Sequence, residues 1–289
     1  MTIYDARLIR RRATKQEMAD RKSGLFDIVS EGQPMTVRQV FYQATVRDLV
    51  EKDERGYAKV QRMLVQMRLE KSIPFHWITD NTRWQRKPTT YDSIADALAE
   101  TARFYRRNLW RDAEVYVEIW LEKDALAGVI FPVTAEYDVP LMVARGFSSI
   151  SFLHSAAQDI NEDGRPAFIF HLGDFDPSGV AAAEHIRDNL RRFAPRSEIH
   201  FERLGVTLDQ IREWKLPSRP TKSSDTRAKK FGHASSVELD AIHPENLRQL
   251  VRDVIERHLP SDQLAILRVA ETSERQLLTS IARHNWEAA

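Results

Sequence analysis

Apolar residues recur along this chain with two different periods, and the change of period divides it. As far as about residue 110 the spacing is helical. Residues 1–33 read as a basic helical stretch that stops at Glu31-Gly32-Gln33-Pro34, since Gly and Pro both punctuate helices. Thr36 followed by Gln39 has the form of a capping box, which makes Thr36 the N-cap of a short helix. Beyond Gly56, the residues Tyr57, Val60, Leu64 and Met67 fall on one face of a second helix running to Lys71. Ile73-Pro74-Phe75-His76-Trp77-Ile78 reads as a short strand or wing, Arg83 to Pro88 as a polar loop, and Tyr91 to Trp110 as a connecting helix. Two short helices followed by a β segment in a basic setting predict a winged helix-turn-helix of the CAP-like kind.

After residue 110 the period shortens to two. Glu114 to Leu121 alternates, with Val115, Val117, Ile119 and Leu121 on one face, and Leu141 to Ala144 and Ala167 to Leu172 are further strand candidates. Helical patterns at Asp124–Ile130, Ser149–Ile160 and Val180–Phe193 separate and follow them. Strands alternating with helices predict an α/β domain with a central, mostly parallel sheet. A basic stretch rich in Pro and Ser, Leu216 to Ser236, precedes two C-terminal helices. The expected organisation is a helical, winged-helix domain over 1–110 and an α/β domain over 111–289.

Charge sharpens that division. The net charge is only +1, yet residues 1–111 carry 22 Lys and Arg against 14 Asp and Glu, and residues 112–289 carry 21 against 28. A basic front half suits a polyanion such as nucleic acid, and equally a solvated surface. Zero Cys excludes disulfide scaffolds, Cys-ligated zinc, iron–sulfur clusters and thiol nucleophiles. The opening Met1-Thr2-Ile3-Tyr4-Asp5 lacks the apolar core of a signal peptide, and no apolar run approaches the ~20 residues of a membrane helix, so the expectation is a cytoplasmic protein away from membranes. With 42% apolar and 29% charged residues the composition is that of a folded globular chain. Neither a phosphate-binding Gly-x4-Gly-Lys-Ser/Thr loop nor a His-Glu-x-x-His motif is present, so no ATPase is visible in the chain.

The sharpest chemical signal is His171-Leu172-Gly173-Asp174-Phe175-Asp176-Pro177-Ser178-Gly179, at the carboxyl end of a predicted strand, where open α/β sheets place their sites. Two carboxylates about 4 Å apart repel by roughly 4 kcal/mol at an effective dielectric near 20. Asp174 and Asp176 therefore either share a proton or hold a hard cation, for which oxygen ligands favour Mg²⁺, with Mn²⁺ as a substitute. The plainer alternative is an Asx turn with Asp176 capping the next helix. Glu122 closes the earlier strand in the same way. If the two strands are neighbours, Glu122, Asp174 and Asp176 converge on one cleft able to polarise a phosphodiester; otherwise Glu122 is a carboxylate favoured by a helix N-terminus.

Glu-Lys after one strand and Asp-x-Asp-Pro-x-Gly after another resemble the Toprim domain, in particular that of the topoisomerase VI A subunit and its meiotic double-strand-break relatives. Arg145-Gly146-Phe147 resembles their Lys-Gly-Tyr segment, and Val237-Glu238-Leu239-Asp240-Ala241 their Glu-Leu segment. The likeness covers the order of elements over most of residues 36–260. In that family a winged-helix domain carries Arg-x-x-Tyr/Phe-Tyr, matched here by Arg38-Gln39-Val40-Phe41-Tyr42, which puts Tyr42 in the place of the nucleophile. Arg38 and Tyr42 share a helical face away from Val37, Val40, Phe41 and Ala44, and the alternative is a packed tyrosine drawn inward by nearby Leu49. The resemblance implies a 5′-phosphotyrosyl link formed by Tyr42, with Arg38 beside it and Glu122 as a further catalytic residue. It also implies a homodimer with a DNA-sized channel and a separate GHKL-type ATPase partner. Lys59, Arg62 and Gln66, on one face of the second helix, are candidates to meet the phosphates of double-stranded DNA. Lys215, Arg219, Lys222, Arg227, Lys229 and Lys230 form a basic loop that either orders on DNA or is simply solvated. The chain departs from topoisomerase VI in its short front and in Arg83–Asn108, and looks closer to compact stand-alone A-like proteins.

Three functions follow: a Mg²⁺-dependent DNA transesterase acting through Tyr42; a Toprim nuclease using metal-activated water, with Tyr42 structural; and a non-catalytic DNA-binding scaffold. A haloacid-dehalogenase phosphatase shares Asp-x-Asp but not the Gly-Thr that usually follows it.

Overall fold

A computed structural model describes residues 14–79, 88–221, 226–259 and 261–284. The first 13 residues, Arg83 to Lys87 and Lys222 therefore lie outside the described residues. The chain folds as two compact units, one ending at Ile78 and the other starting at Thr79.

Three helices build the first unit: α1 (Lys15–Gly32), α2 (Val37–Val46) and α3 (Glu54–Leu69). Each start is set by a short polar side chain. Thr14 and Thr36 form capping boxes with Glu17 and Gln39, and Asp53 accepts from the Gly56 N–H at 2.6 Å. Leu25, Ile28 and Val29 of α1, Val40, Phe41 and Ala44 of α2, and Val60, Met63, Leu64 and Met67 of α3 are its buried core. The segment expected to be a wing is instead a 3₁₀ turn, Phe75–Trp77, held by one parallel bridge between Ile78 and Met35. No hairpin forms among the described residues of this unit. Pro74 supplies no N–H to a ladder, and no second alternating run exists here to pair with it.

The second unit is α/β. Its sheet holds β1 (Tyr116–Leu121), β2 (Leu141–Val143), β3 (Ala167–Leu172) and β4 (Ile199–Gly205), all parallel in the order β2-β1-β3-β4. Connecting helices are α5 (Ala127–Glu136), α6 (Ile150–Asp163) and α7 (Pro177–Phe193); α8 (Leu208–Glu213), α9 (Ala228–Phe231), α10 (Pro244–Glu256) and α11 (Ser261–His284) follow. Trp120, Ala167 and Ile169 pack with Leu153, Ala157 and Ile160 of α6 and Ile186 and Leu190 of α7. On the other face Phe170 meets His258, just past α10. Both faces are covered, so β1 does not alternate apolar and polar: from Val117 to Leu121 every residue is buried, Glu118 included.

β4 has no counterpart in the sequence pattern. It is an edge strand whose exposed His200 and half-exposed Glu202 interrupt the apolar run. Within the basic stretch, Arg219–Pro220 (β5) and Ser235–Ser236 (β6) make a short antiparallel pair. The connecting helix shortens to α4 (Ile94–Phe104) and packs in the second unit, on α11. There the Tyr105 hydroxyl donates to Glu274 at 2.8 Å, and the Arg107 N–H to Glu271 at 3.0 Å. No helix among the described residues is long and apolar enough to cross a membrane.

Candidate functional site

The chain runs from β1 outward to β2, then returns past β1 to β3 and β4, so the winding direction reverses between β1 and β3. Open parallel sheets leave a crevice at such a reversal, beyond the carboxyl ends of the strands. Glu122 and Asp174 stand there. β1 and β3 are in register from Tyr116↔Ala167 to Leu121↔Leu172, so their loops leave the sheet side by side. The Asp174 N–H donates to Glu122 Oε2 at 2.9 Å. The two expected strands are neighbours, and the Glu122 carboxylate reaches the backbone of Asp174.

Two glycines make this approach possible. A Cβ on Gly173 would overlap Glu122 Oε2 and come within 2.6 Å of His171 Cε1; one on Gly179 would overlap the Asp174 carbonyl and come within 3.0 Å of Glu122 Oε2. Asp176 is the N-cap of α7, accepting from the Gly179 N–H at 2.8 Å, with Pro177 at the helix start. The capping alternative for Asp176 is thus realised within the acidic group. Its Oδ2 lies 3.5 Å from the Arg219 guanidinium.

Four further residues complete the centre. Phe175 and Val237 exchange backbone hydrogen bonds at 2.8 and 2.9 Å, which carries the segment 237–240 onto the acidic loop. Asp174 Oδ1 then accepts from the Leu239 N–H at 2.8 Å. Lys123 Nζ sits among Asp174 at 2.8 Å, Asp240 at 2.7 Å and Glu238 at 3.4 Å. Arg203 of β4 donates to the carbonyls of Gly173, Gly179 and Asp174, pinning the loop from beneath. Glu238 and Asp240 repeat the two-residue spacing of Asp174 and Asp176 between buried Val237, Leu239 and Ala241, which is the signal that marks them in the sequence. Arg203 gave no such signal, because its strand was not visible.

The electrostatics follow from burial and neighbours. Burial, then the charge of Asp174, raises the Glu122 carboxyl to about 7. Burial also raises Asp174, against the pull of Lys123. Burial works to lower Lys123, but Asp240, Asp174 and Glu238 outweigh it and hold the ammonium above its ordinary value. His171, fully buried on β3, is lowered to about 3 by burial and then by Arg203, and neither ring nitrogen has a hydrogen-bond partner among the described residues.

Among the described residues, no three Asp, Glu or His side chains are arranged as placed to hold a metal ion, since Lys123 takes up Asp174 and the helix start takes up Asp176. The donor set nevertheless suits a hard cation. It is all oxygen, and Glu122 is a partly buried carboxylate with no ion pair among the described residues, within electrostatic reach of Asp174 and Asp176. Glu122, Asp174 and Asp176 are the residues that would hold Mg²⁺ or Mn²⁺.

In the first unit, Tyr42 is 5% exposed, not turned away from the core as its helical angle suggested. Its ring packs on Phe41 with centroids 5.5 Å apart, and Lys52 Nζ lies 5.5 Å from its centroid. Arg38 is exposed on the same helix, its guanidinium over the Tyr57 ring. On α3, Arg62 and Gln66 are exposed and Lys59 half-buried; Arg62 donates to the Ala58 carbonyl and Gln66 to Glu70. The chain matches no family model and no curated protein.

Proposed function

We propose that the chain is a divalent-metal-dependent DNA-cleaving protein in which Glu122, Asp174 and Asp176 form the catalytic centre and phosphodiester hydrolysis is the reaction. The observation that supports it is the meeting of Glu122 and Asp174 at the switch point between β1 and β3. A Mg²⁺ or Mn²⁺ ion held there supplies a Lewis acid for the phosphodiester and lowers the pKa of water. The chain's own residues do the rest. Arg203 fixes the carbonyls of Gly173, Asp174 and Gly179, so the backbone that carries Asp174 and Asp176 is held in place beside Glu122. Lys123 holds Asp174, Glu238 and Asp240 in place and keeps their mutual repulsion from opening the cleft. Glu122, which forms no ion pair among the described residues, is the carboxylate suited to accept a proton from the attacking water.

Hydrolysis is preferred over transesterification because Tyr42 is packed in the core of its unit, and a phenol must be exposed to attack. The transesterase reading keeps one favourable feature, the Lys52 ammonium over the Tyr42 ring, which would stabilise a phenolate. The homodimer and the ATPase partner rest on the resemblance alone.

The test incubates the protein with supercoiled plasmid and Mg²⁺ or Mn²⁺ and compares gels with and without protease. Metal-dependent nicking that disappears in Glu122→Gln and Asp176→Asn, persists in Tyr42→Phe and leaves no protein on the DNA is the expected result. Protein bound to 5′ ends and lost in Tyr42→Phe would instead establish the transesterase. DNA binding without cleavage in either metal would leave the scaffold.

A further inference from the structure

Beside the acidic centre, and belonging wholly to the second unit, lies a cavity of about 370 Å³. Its walls are the start of α7 (Pro177, Val180, Ala181), the turn after β4 (Val206, Leu208) and the segment around α9. One wall is aromatic. Phe175, Phe231 and His233 surround one another with ring centroids 5.0 to 5.1 Å apart. The exposed cations Arg227 and Lys230 line the cavity, and so does Glu184, which holds Lys230 at 2.5 Å. The cavity is also coupled to the acidic centre. Phe175 stands between Asp174 and Asp176 in sequence, and Arg203, which pins the acidic loop, lines the cavity as well.

We infer that this cavity receives one unstacked nucleobase of a bound nucleic acid strand. The reading rests on the DNA-cleaving function proposed above and adds the form of the substrate: a strand with at least one base out of its stack next to the cleaved phosphate. A cavity of this size is at the small end of ligand pockets and has no room for a stacked pair. Aromatic walls bind planar bases of any sequence by stacking, and exposed cations meet the phosphates on either side. An apolar peptide would use the aromatic wall but gain nothing from Arg227 and Lys230. A phosphate alone would use the cations but leave the rings idle. Only a planar group carried on an anionic backbone uses both.

The experiment titrates the full chain, with chelator present so that no cleavage occurs, against a single-stranded oligonucleotide carrying one 2-aminopurine. Matched strands containing abasic sites serve as the comparison. The expected result is quenching of the 2-aminopurine and about tenfold weaker binding of the abasic strands. Phe231→Ala should remove the quenching, and Ala181→Phe, which fills the cavity from α7, should do the same should the first variant fail to fold. Equal affinity for base-bearing and abasic strands, or quenching that survives in the folded filled variant, overturns the inference. Plasmid nicking by the unaltered protein separates the two proposals. Base-dependent quenching without nicking keeps the cavity assignment and removes hydrolysis; nicking with no base dependence does the reverse.

Discussion

At the scale of single residues, the centre depends on side chains that are missing as much as on those present. Gly173 admits both the Glu122 carboxylate and the His171 ring, and any Cβ must push one of them away. Gly173→Ala is expected to cost about 1–3 kcal/mol, the usual range for overpacking a filled site, measured as a lowered urea midpoint. Glu118 offers a test with a definite sign. Burial raises its carboxyl to about 7, against the Tyr116 hydroxyl and the Trp120 N–H that donate to it. Its folded-state pKa lies above the unfolded value, so its protonation stabilises the fold at low pH, and that contribution is lost as pH rises from about 4.5 through 7. Glu118→Gln removes this dependence. The variant should gain on the unaltered protein between pH 5 and 8, by on the order of 2 kcal/mol in denaturant titrations at each pH.

At the scale of elements, the ends of helices and strands carry the chemistry. Asp176 starts α7 and also lies within electrostatic reach of Glu122, so its two roles can be separated by substitution. Asp176→Asn keeps the side-chain oxygen that caps the helix, whereas Asp176→Ala loses it and should be less stable than the Asn variant by about 1 kcal/mol in thermal melts. Both should lack metal-dependent nicking. Helix α2 was legible for the same local reason: Thr36 and Gln39 satisfy each other's orphan N–H groups whatever the rest of the chain does. The wing is not shown because a β segment needs a partner, and among the described residues Ile73–Ile78 has only the single bridge to Met35. Tyr42 was misread because a helical angle gives direction but not depth. Phe41 and the segment containing Lys52 close over it.

At the scale of the whole molecule, Lys123 carries the largest single expectation. It joins the end of β1 to the loop after β3 and to Glu238 and Asp240, more than a hundred residues further on. Removing it leaves three buried carboxylates facing one another. Lys123→Met is expected to cost about 3–5 kcal/mol in equilibrium unfolding, and Asp240→Asn in the same background should recover part of the loss. The sequence by itself determined the alternation of strands and helices up to β3, the start of α2 at Thr36 and the position of each carboxylate at a strand end. These follow from side-chain period and backbone hydrogen bonding within a few residues. Only the tertiary structure decided that β1 and β3 are neighbours, that β4 exists to present Arg203, and that Lys123 and the 237–240 segment fill the cleft. Those outcomes depend on which distant segments bury surface against each other, and a local pattern carries no record of its partner.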